Sequence, residues 1–254
     1  MFFFIHDLFF NFFIIFFSYW EAGNLLVVYN ELHRFPLYIN SAMRTLNYWF
    51  KILQMNPNRL PFQAYQMLFI MDGQGKINWA TNVRNILSVN GFQYVWNQQG
   101  VGNVNCFLKV FKTRLQDVFR QEWEATIRDK ERYDLFHCFK RDFCQENYIV
   151  NIDVYCFRVA LSHIRFGVLP LNNNAQRYND NVTSRNCFHC KNLVENEYHF
   201  IYVCPLYSDL REKHLSSRPF SIVSLLQCKD PMLTRSLGKF VYHAFSRRKQ
   251  LAAI

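Results

Sequence analysis

Four residues in the last third of the chain have the types and spacing that bind a metal ion. Cys187 and Cys190 are separated by two residues, His199 follows after eight more and Cys204 after another four, in the run CFHCKNLVENEYHFIYVC. A two-residue gap lets two thiolates face into one tight turn, and a distant His and Cys then complete a tetrahedron. Thiolate and imidazole donors select zinc over magnesium or calcium. All four positions are filled by protein, which describes a closed structural Zn2+ site with no position left for a catalytic water. His189 lies between the first two ligands and is the rival to His199. Its side chain should point away from a Cys-x-x-Cys turn, so His199 is preferred. The alternative is a buried cysteine pair beside an unrelated histidine.

No other local pattern carries chemistry. Cys106, Cys138, Cys144 and Cys156 fall within helical stripes, where a free cysteine packs as a small hydrophobe. Asp72-Gly-Gln-Gly-Lys76 lacks the rest of a phosphate-binding loop and reads as a turn. Asn181-Val-Thr183 is a glycosylation sequon, meaningful only in a secreted protein. Paired aspartates of the polymerase type and a recognisable Ser or Cys nucleophile motif are missing, and His163, His214 and His243 read as helix-face residues.

The elements that must position the cluster are mainly α-helical. Ile39, Met43, Leu46, Phe50 and Leu53 recur at helical spacing up to Asn56-Pro57. Tyr65, Leu68 and Phe69 share a face before Asp72-Gly73, and Trp79, Val83, Ile86 and Leu87 mark a helix closed by Gly91. The longest helix is expected from about Asn105 to Lys130 on the stripe Leu108, Phe111, Leu115, Phe119, Trp123, Ile127. Leu135, Phe139 and Phe143 predict another, with Lys140 and Arg141 outward, and Val154, Phe157, Leu161 and Ile164 the next. Asp230-Pro231 is an N-cap followed by Pro at the first helical position, opening a last helix with a basic end at Arg247-Arg248-Lys249. The expected division is a hydrophobic leader over 1–30, a helical bundle-like body over 31–170, a polar linker over 171–186, a small CCHC zinc module over 187–215 and a C-terminal helical segment over 216–254.

The 254 residues carry a net charge of +10, with 29 Lys and Arg against 19 Asp and Glu, and 18% are aromatic. This composition excludes a disordered acidic chain. Arg34 is the first basic residue, while Asp7, Glu21 and Glu31 fall before it, so 34–254 carries 29 basic against 16 acidic residues, or +13. That excess points to an anionic partner such as nucleic acid or a membrane surface. Residues 1–20 are long enough to span a bilayer, but His6, Asp7 and Asn11 interrupt them. A membrane anchor, a signal peptide and the translation of non-coding sequence ahead of a gene fragment are the three readings. The third is adopted.

Several stretches resemble, in order, the C-terminal region of non-LTR retrotransposon reverse transcriptases of the jockey-like type. They are ELHRFPLYINSAMRTLNYWFKIL (31–53), NWATNVRNILSVNGFQYVW (78–96), FLKVFKTRLQDVFRQEW (107–123), FRVALSHIR (157–165) and ENEYHFIYVCPLYSDLR (195–211). The last is the most specific, and Cys187, Cys190, His199 and Cys204 fall on the ligand positions of the zinc-binding region that follows these polymerases. Asn196 stands where that family has an acid, and 168–178 keeps Arg177 but lacks the family's His and Gly-Arg. The polymerase palm and the endonuclease are not matched. The resemblance therefore implies a non-enzymatic fragment, nuclear or cytoplasmic, that partners the rest of a reverse transcriptase and holds RNA or DNA during target-primed reverse transcription. Lys109, Lys112, Arg114, Lys140, Arg141, Arg158, Arg165, Arg177 and Arg185 would contact phosphates, and Phe188 and Tyr198 would stack on unpaired bases. The alternative is a zinc-stabilised scaffold protein, membrane-anchored through 1–20, or a relic without function.

Overall fold

A computed structural model of the chain describes residues 25–129, 133–175, 184–216 and 221–252. The described residues are mostly helical and contain no strand, only an isolated bridge between Asn186 and Val194. No helix among them is long and apolar enough to cross a membrane, and the expected leader segment 1–20 lies outside them. The helices are α1 (Leu25–Glu31), α2 (Leu37–Leu53), α3 (Leu60–Gly73), α4 (Trp79–Val89), α5 (Gln93–Asn97) and α6 (Val104–Asp129), followed by α7 (Asp134–Phe139), α8 (Asn147–Asn151), α9 (Tyr155–Arg165) and α10 (Asn172–Ala175). After the cysteine pair come a π turn (His199–Val203), a 3-10 turn (Pro205–Tyr207), α11 (Ser208–His214), α12 (Ile222–Leu226) and α13 (Pro231–Ala252).

The chain divides into two compact units, one of Phe35–Glu122 and one of the residues up to Arg34 together with those from Trp123 onward. This division differs from the expected body, linker and module, because it falls inside α6 and not at 171–186. In the 35–122 unit, α2 buries Ile39, Ala42, Leu46, Trp49 and Phe50, one stripe at three- and four-residue steps. Trp49 stacks on Trp96 at 5.7 Å, and Phe50 meets Phe107 edge-on at 5.6 Å, which brings α5 and α6 into the same core. Asn78 caps α4 reciprocally with Thr81, and Gly91 supplies the left-handed residue after it (φ +85°). In α3, by contrast, Tyr65 is the one buried residue, and Leu60, Met67 and Ile70 are exposed.

The second unit has one continuous core. It joins Val27, Val28 and Leu32, the end of α6, α7–α9, the Cys/His segment, α12 and α13. Three expectations are corrected here. Residues 25–30 are not outside the fold, since α1 buries its apolar side and Asn30. Glu31, which follows, accepts from Arg165 Nη2 at 2.8 Å and Nε at 3.2 Å. Lys140 does not point outward. α7 ends at Phe139, and the extended backbone at residue 140 sends the lysine inward, 2% exposed, to Glu146 and the Cys144 carbonyl. The start of the expected linker is core: Leu171 is buried and α10 follows it, while 176–183 lies outside the described residues.

α13 opens as its sequence predicts. Asp230 accepts from the backbone N–H groups of Met232 (3.1 Å) and Leu233 (3.3 Å), and Leu237, Phe240, Val241 and Ala244 are buried. The four cysteines expected to pack as small hydrophobes do not: Cys106, Cys138 and Cys144 are exposed and Cys156 is half-buried. On α6 the buried stripe runs through Phe107 and Phe111, one residue or about 100° from Cys106.

Candidate metal centre

The Cys/His segment is a tight turn followed by a π turn. Cys187 N–H donates to Leu193 O and Lys191 N–H to Cys187 O, each at 2.8 Å, and Lys191 takes a left-handed φ of +60°. This knuckle turns Cys187 and Cys190 toward the same space. His199 opens the π turn, and Cys204 N–H donates back five residues to His199 O at 2.9 Å. At α-helical spacing a fifth residue lies about 140° round from the first. A π turn winds more residues per turn, so it returns Cys204 toward the face of His199.

One donor atom from each of Cys187, Cys190, His199 and Cys204 lies within 4.8 Å of all the others. The Sγ atom of Cys204 is 3.9 Å from that of Cys187 and 3.7 Å from that of Cys190. A tetrahedral centre with metal–sulfur bonds near 2.3 Å sets its sulfurs about 3.8 Å apart. His199 is 4% exposed, and its Nε2 is a buried nitrogen with no hydrogen-bond partner among the described residues. Burial pushes the Cys204 thiol up to about 12, with Cys187 and Cys190 adding to the rise, and it pushes the Cys190 thiol up as well, against the lowering effect of its bond with Cys204. Burial also lowers the imidazole of His199 from its ordinary value. A buried imidazole beside three crowded thiols is a donor set fitted to a cation. The four residues can therefore hold a metal ion, whereas His189 is exposed.

The surrounding shell comes from residues distant in sequence. Arg211 Nη2 donates to Cys204 O at 2.6 Å. Glu195 accepts from Arg248 on both carboxylate oxygens and from the backbone N–H of Asn172 at 2.8 Å. Glu197 accepts from Asn174 Nδ2 at 2.6 Å. The two acids of the ENEYHF run are thus buried fasteners. Their partners, Asn172 and Asn174 on α10 and Arg248 on α13, follow no local spacing that the sequence shows.

The residues expected to contact nucleic acid are scattered. Lys109, Lys112 and Arg114 are exposed on α6, and Arg141 and Arg185 are exposed in the second unit. Arg177 lies outside the described residues. Arg158 donates to Ile149 O at 3.0 Å. Lys140 and Arg165 are corrected: both are buried in ion pairs with Glu146, and Arg165 with Glu31 as well, which leaves neither for a phosphate. Phe188 lies under the Arg248 guanidinium at 5.6 Å, while Tyr198 is exposed and stacks on Tyr202 at 5.2 Å.

Comparison with known proteins gives no significant match to any family model, curated protein or solved structure.

Proposed function

We propose that this chain is a non-catalytic fragment of a non-LTR retrotransposon reverse transcriptase, a zinc-stabilised helical module that binds RNA or DNA during target-primed reverse transcription. The convergence of Cys187, Cys190, His199 and Cys204 carries the reading. Three thiols and one imidazole form a donor set that suits zinc, and four protein ligands make the site structural. The family assignment rests on the order of the sequence stretches and on the ligand spacing. Nucleic-acid binding is supported by the positive charge and by exposed cations such as Lys109, Lys112 and Arg114. Native mass spectrometry of the full chain tests the metal: one zinc per chain, lost in Cys190→Ser, is expected. Binding to an RNA oligonucleotide at about 50 mM salt, weakening as salt rises, tests the rest. A second reading, a zinc-stabilised scaffold, is favoured by the exposed apolar residues of α3, Leu60, Met67 and Ile70. Zinc-loaded protein that ignores polynucleotide would support that second reading.

A further inference from the structure

The 35–122 unit holds nine Lys and Arg against three Asp and Glu, a net charge of +6. Two of its acids are already committed, Asp72 to Arg84 and Asp117 to Arg120. Arg44, Lys51, Arg59 and Lys76, with the three cations of α6 already described, are all exposed, and none of the seven makes an ion pair or side-chain hydrogen bond among the described residues. In the other unit several cations are committed, although Arg141, Lys191, Lys213 and Lys229 are exposed there as well. Arg211 holds a carbonyl, and Lys140, Arg165, Arg235, Arg247 and Arg248 each hold an acid. An ordinary solvated surface mixes both signs. The net positive charge is denser in this unit, since the rest of the chain holds 20 Lys and Arg against 16 Asp and Glu, and it lies away from the metal-cluster residues in sequence.

Within that unit α2 carries a pattern with a use. Arg44, Tyr48 and Lys51 follow one another at four- and three-residue steps, so they share one face of the helix. All three are exposed, and Tyr48 keeps 51% of its surface open although its ring rests edge-on against Trp79 at 5.9 Å. A half-open aromatic braced on one edge is a platform on which a base can stack. The cations on either side are about 10.5 Å apart along the axis, a span that phosphates of one extended strand can bridge. Cations that track a backbone and flank an aromatic that takes a base are the means of single-strand binding. We infer that the Arg44–Tyr48–Lys51 face of α2 is a contact site for a single-stranded polynucleotide, with Lys109 and Lys112 extending the positive surface of the same unit. This rests on the nucleic-acid reading above and assigns that contact to the unit without the metal ligands.

The test uses the full chain and fluorescence anisotropy with a labelled oligouridylate of about 12 nucleotides, within the range of known single-strand site sizes. Tyr48→Ala should weaken binding about tenfold, while Tyr48→Phe, which keeps the ring, should bind like the parent. Arg44→Gln with Lys51→Gln should lower the log–log salt slope by about 1.4, the loss of two phosphate contacts on a single strand. Circular dichroism melts establish that the variants fold. Parent-like affinity in Tyr48→Ala overturns the site. So does equal affinity for a duplex or for polyglutamate, which need only charge. If binding survives these changes but is lost in Arg141→Gln with Lys191→Gln, the contact lies in the other unit and this inference alone fails. If the parent does not bind at low salt, the nucleic-acid reading fails with it.

Discussion

Arg248 sets its guanidinium across both carboxylate oxygens of Glu195, Nε to Oε1 at 2.8 Å and Nη2 to Oε2 at 2.6 Å, over 53 positions of sequence. Glu195 lies between the second and third metal-ligand positions, so the pair fastens the C-terminal helix to the loop that aims His199. The Glu195 side chain is 1% exposed. A buried pair is poor evidence of net stability, but removing one partner strands a charge and costs about 3–5 kcal/mol. Arg248→Met should therefore destabilise the second unit strongly. Adding Glu195→Gln should restore part of the loss, because the stranded charge goes with it. Denaturant melts of the two single variants and the double variant form the cycle, and additive losses would show that the pair does not couple.

The cysteines divide by position and not by number. Cys190→Ser removes a donor from the cluster and should abolish metal binding. Because the free energy of metal binding is also folding free energy, the region from Asn186 to Leu215 should melt at lower temperature. Cys144→Ser changes an exposed side chain that accepts from Lys140 (Nζ to Sγ 3.3 Å), and should leave metal content unchanged. Metal analysis beside thermal melts checks both, and metal lost from the Cys144 variant would mean that the ligand set is wrong.

What was legible in the sequence was local. The Cys187, Cys190, His199 and Cys204 cluster follows from a short spacing, α6 from its apolar stripe and the start of α13 from Asp230-Pro231, because each is written within a few turns of chain. Lys140 and Arg165 were misread because helical periodicity assigns charge outward unless a partner is known. Their partners, Glu31 and Glu146, sit in segments whose patterns give no hint of burial. Arg165 also has the rings of Phe139 and Tyr148 near its guanidinium, at 4.6 and 5.1 Å, which favours a cation inside the core. α1 is hidden by the Phe-rich run before it, whose nearly continuous apolar character masks any period. The Arg44–Tyr48–Lys51 face was missed for the opposite reason, since an exposed polar stripe looks ordinary until its charges prove to have no partners.

The two carboxylate oxygens of Asp72 give the 35–122 unit a specific acid sensitivity. Arg84 donates to them through Nε and Nη2, both at 2.9 Å, and the Thr81 hydroxyl donates to Oδ1 at 2.6 Å. The bond from Arg84, helped by Thr81, holds the carboxyl below its ordinary value. A group whose pKa falls on folding binds its proton more tightly in the unfolded chain. Its contribution is present above the unfolded pKa of about 3.9 and is lost as pH falls through the lower folded value. Asp72→Asn should cost about 1–3 kcal/mol at neutral pH. Below about pH 4 its stability should fall less steeply than the parent's. Urea midpoints of both proteins across that range decide it, and parallel curves would exclude Asp72 as a source of the acid response.

Gly238 shows how closely α13 approaches the start of α9. A Cβ built on it would come 2.9 Å from the Phe157 carbonyl oxygen and 3.1 Å from Ile152 Cδ1. Two effects of Gly238→Ala oppose each other. Alanine gains about 1 kcal/mol over glycine in a helix interior. Overpacking a tight contact costs about 1–3 kcal/mol, and backbone gives way less readily than a side chain end. The nearest atom here is backbone, so the clash should win and the variant should be less stable by about 1 kcal/mol. The exposed Ser224, on α12, provides the control, since Ser224→Ala meets no such contact and should be near neutral. If Gly238→Ala melts above the parent, helix propensity has won, and the two helices are free to move apart by the few tenths of an ångström that a methyl group needs.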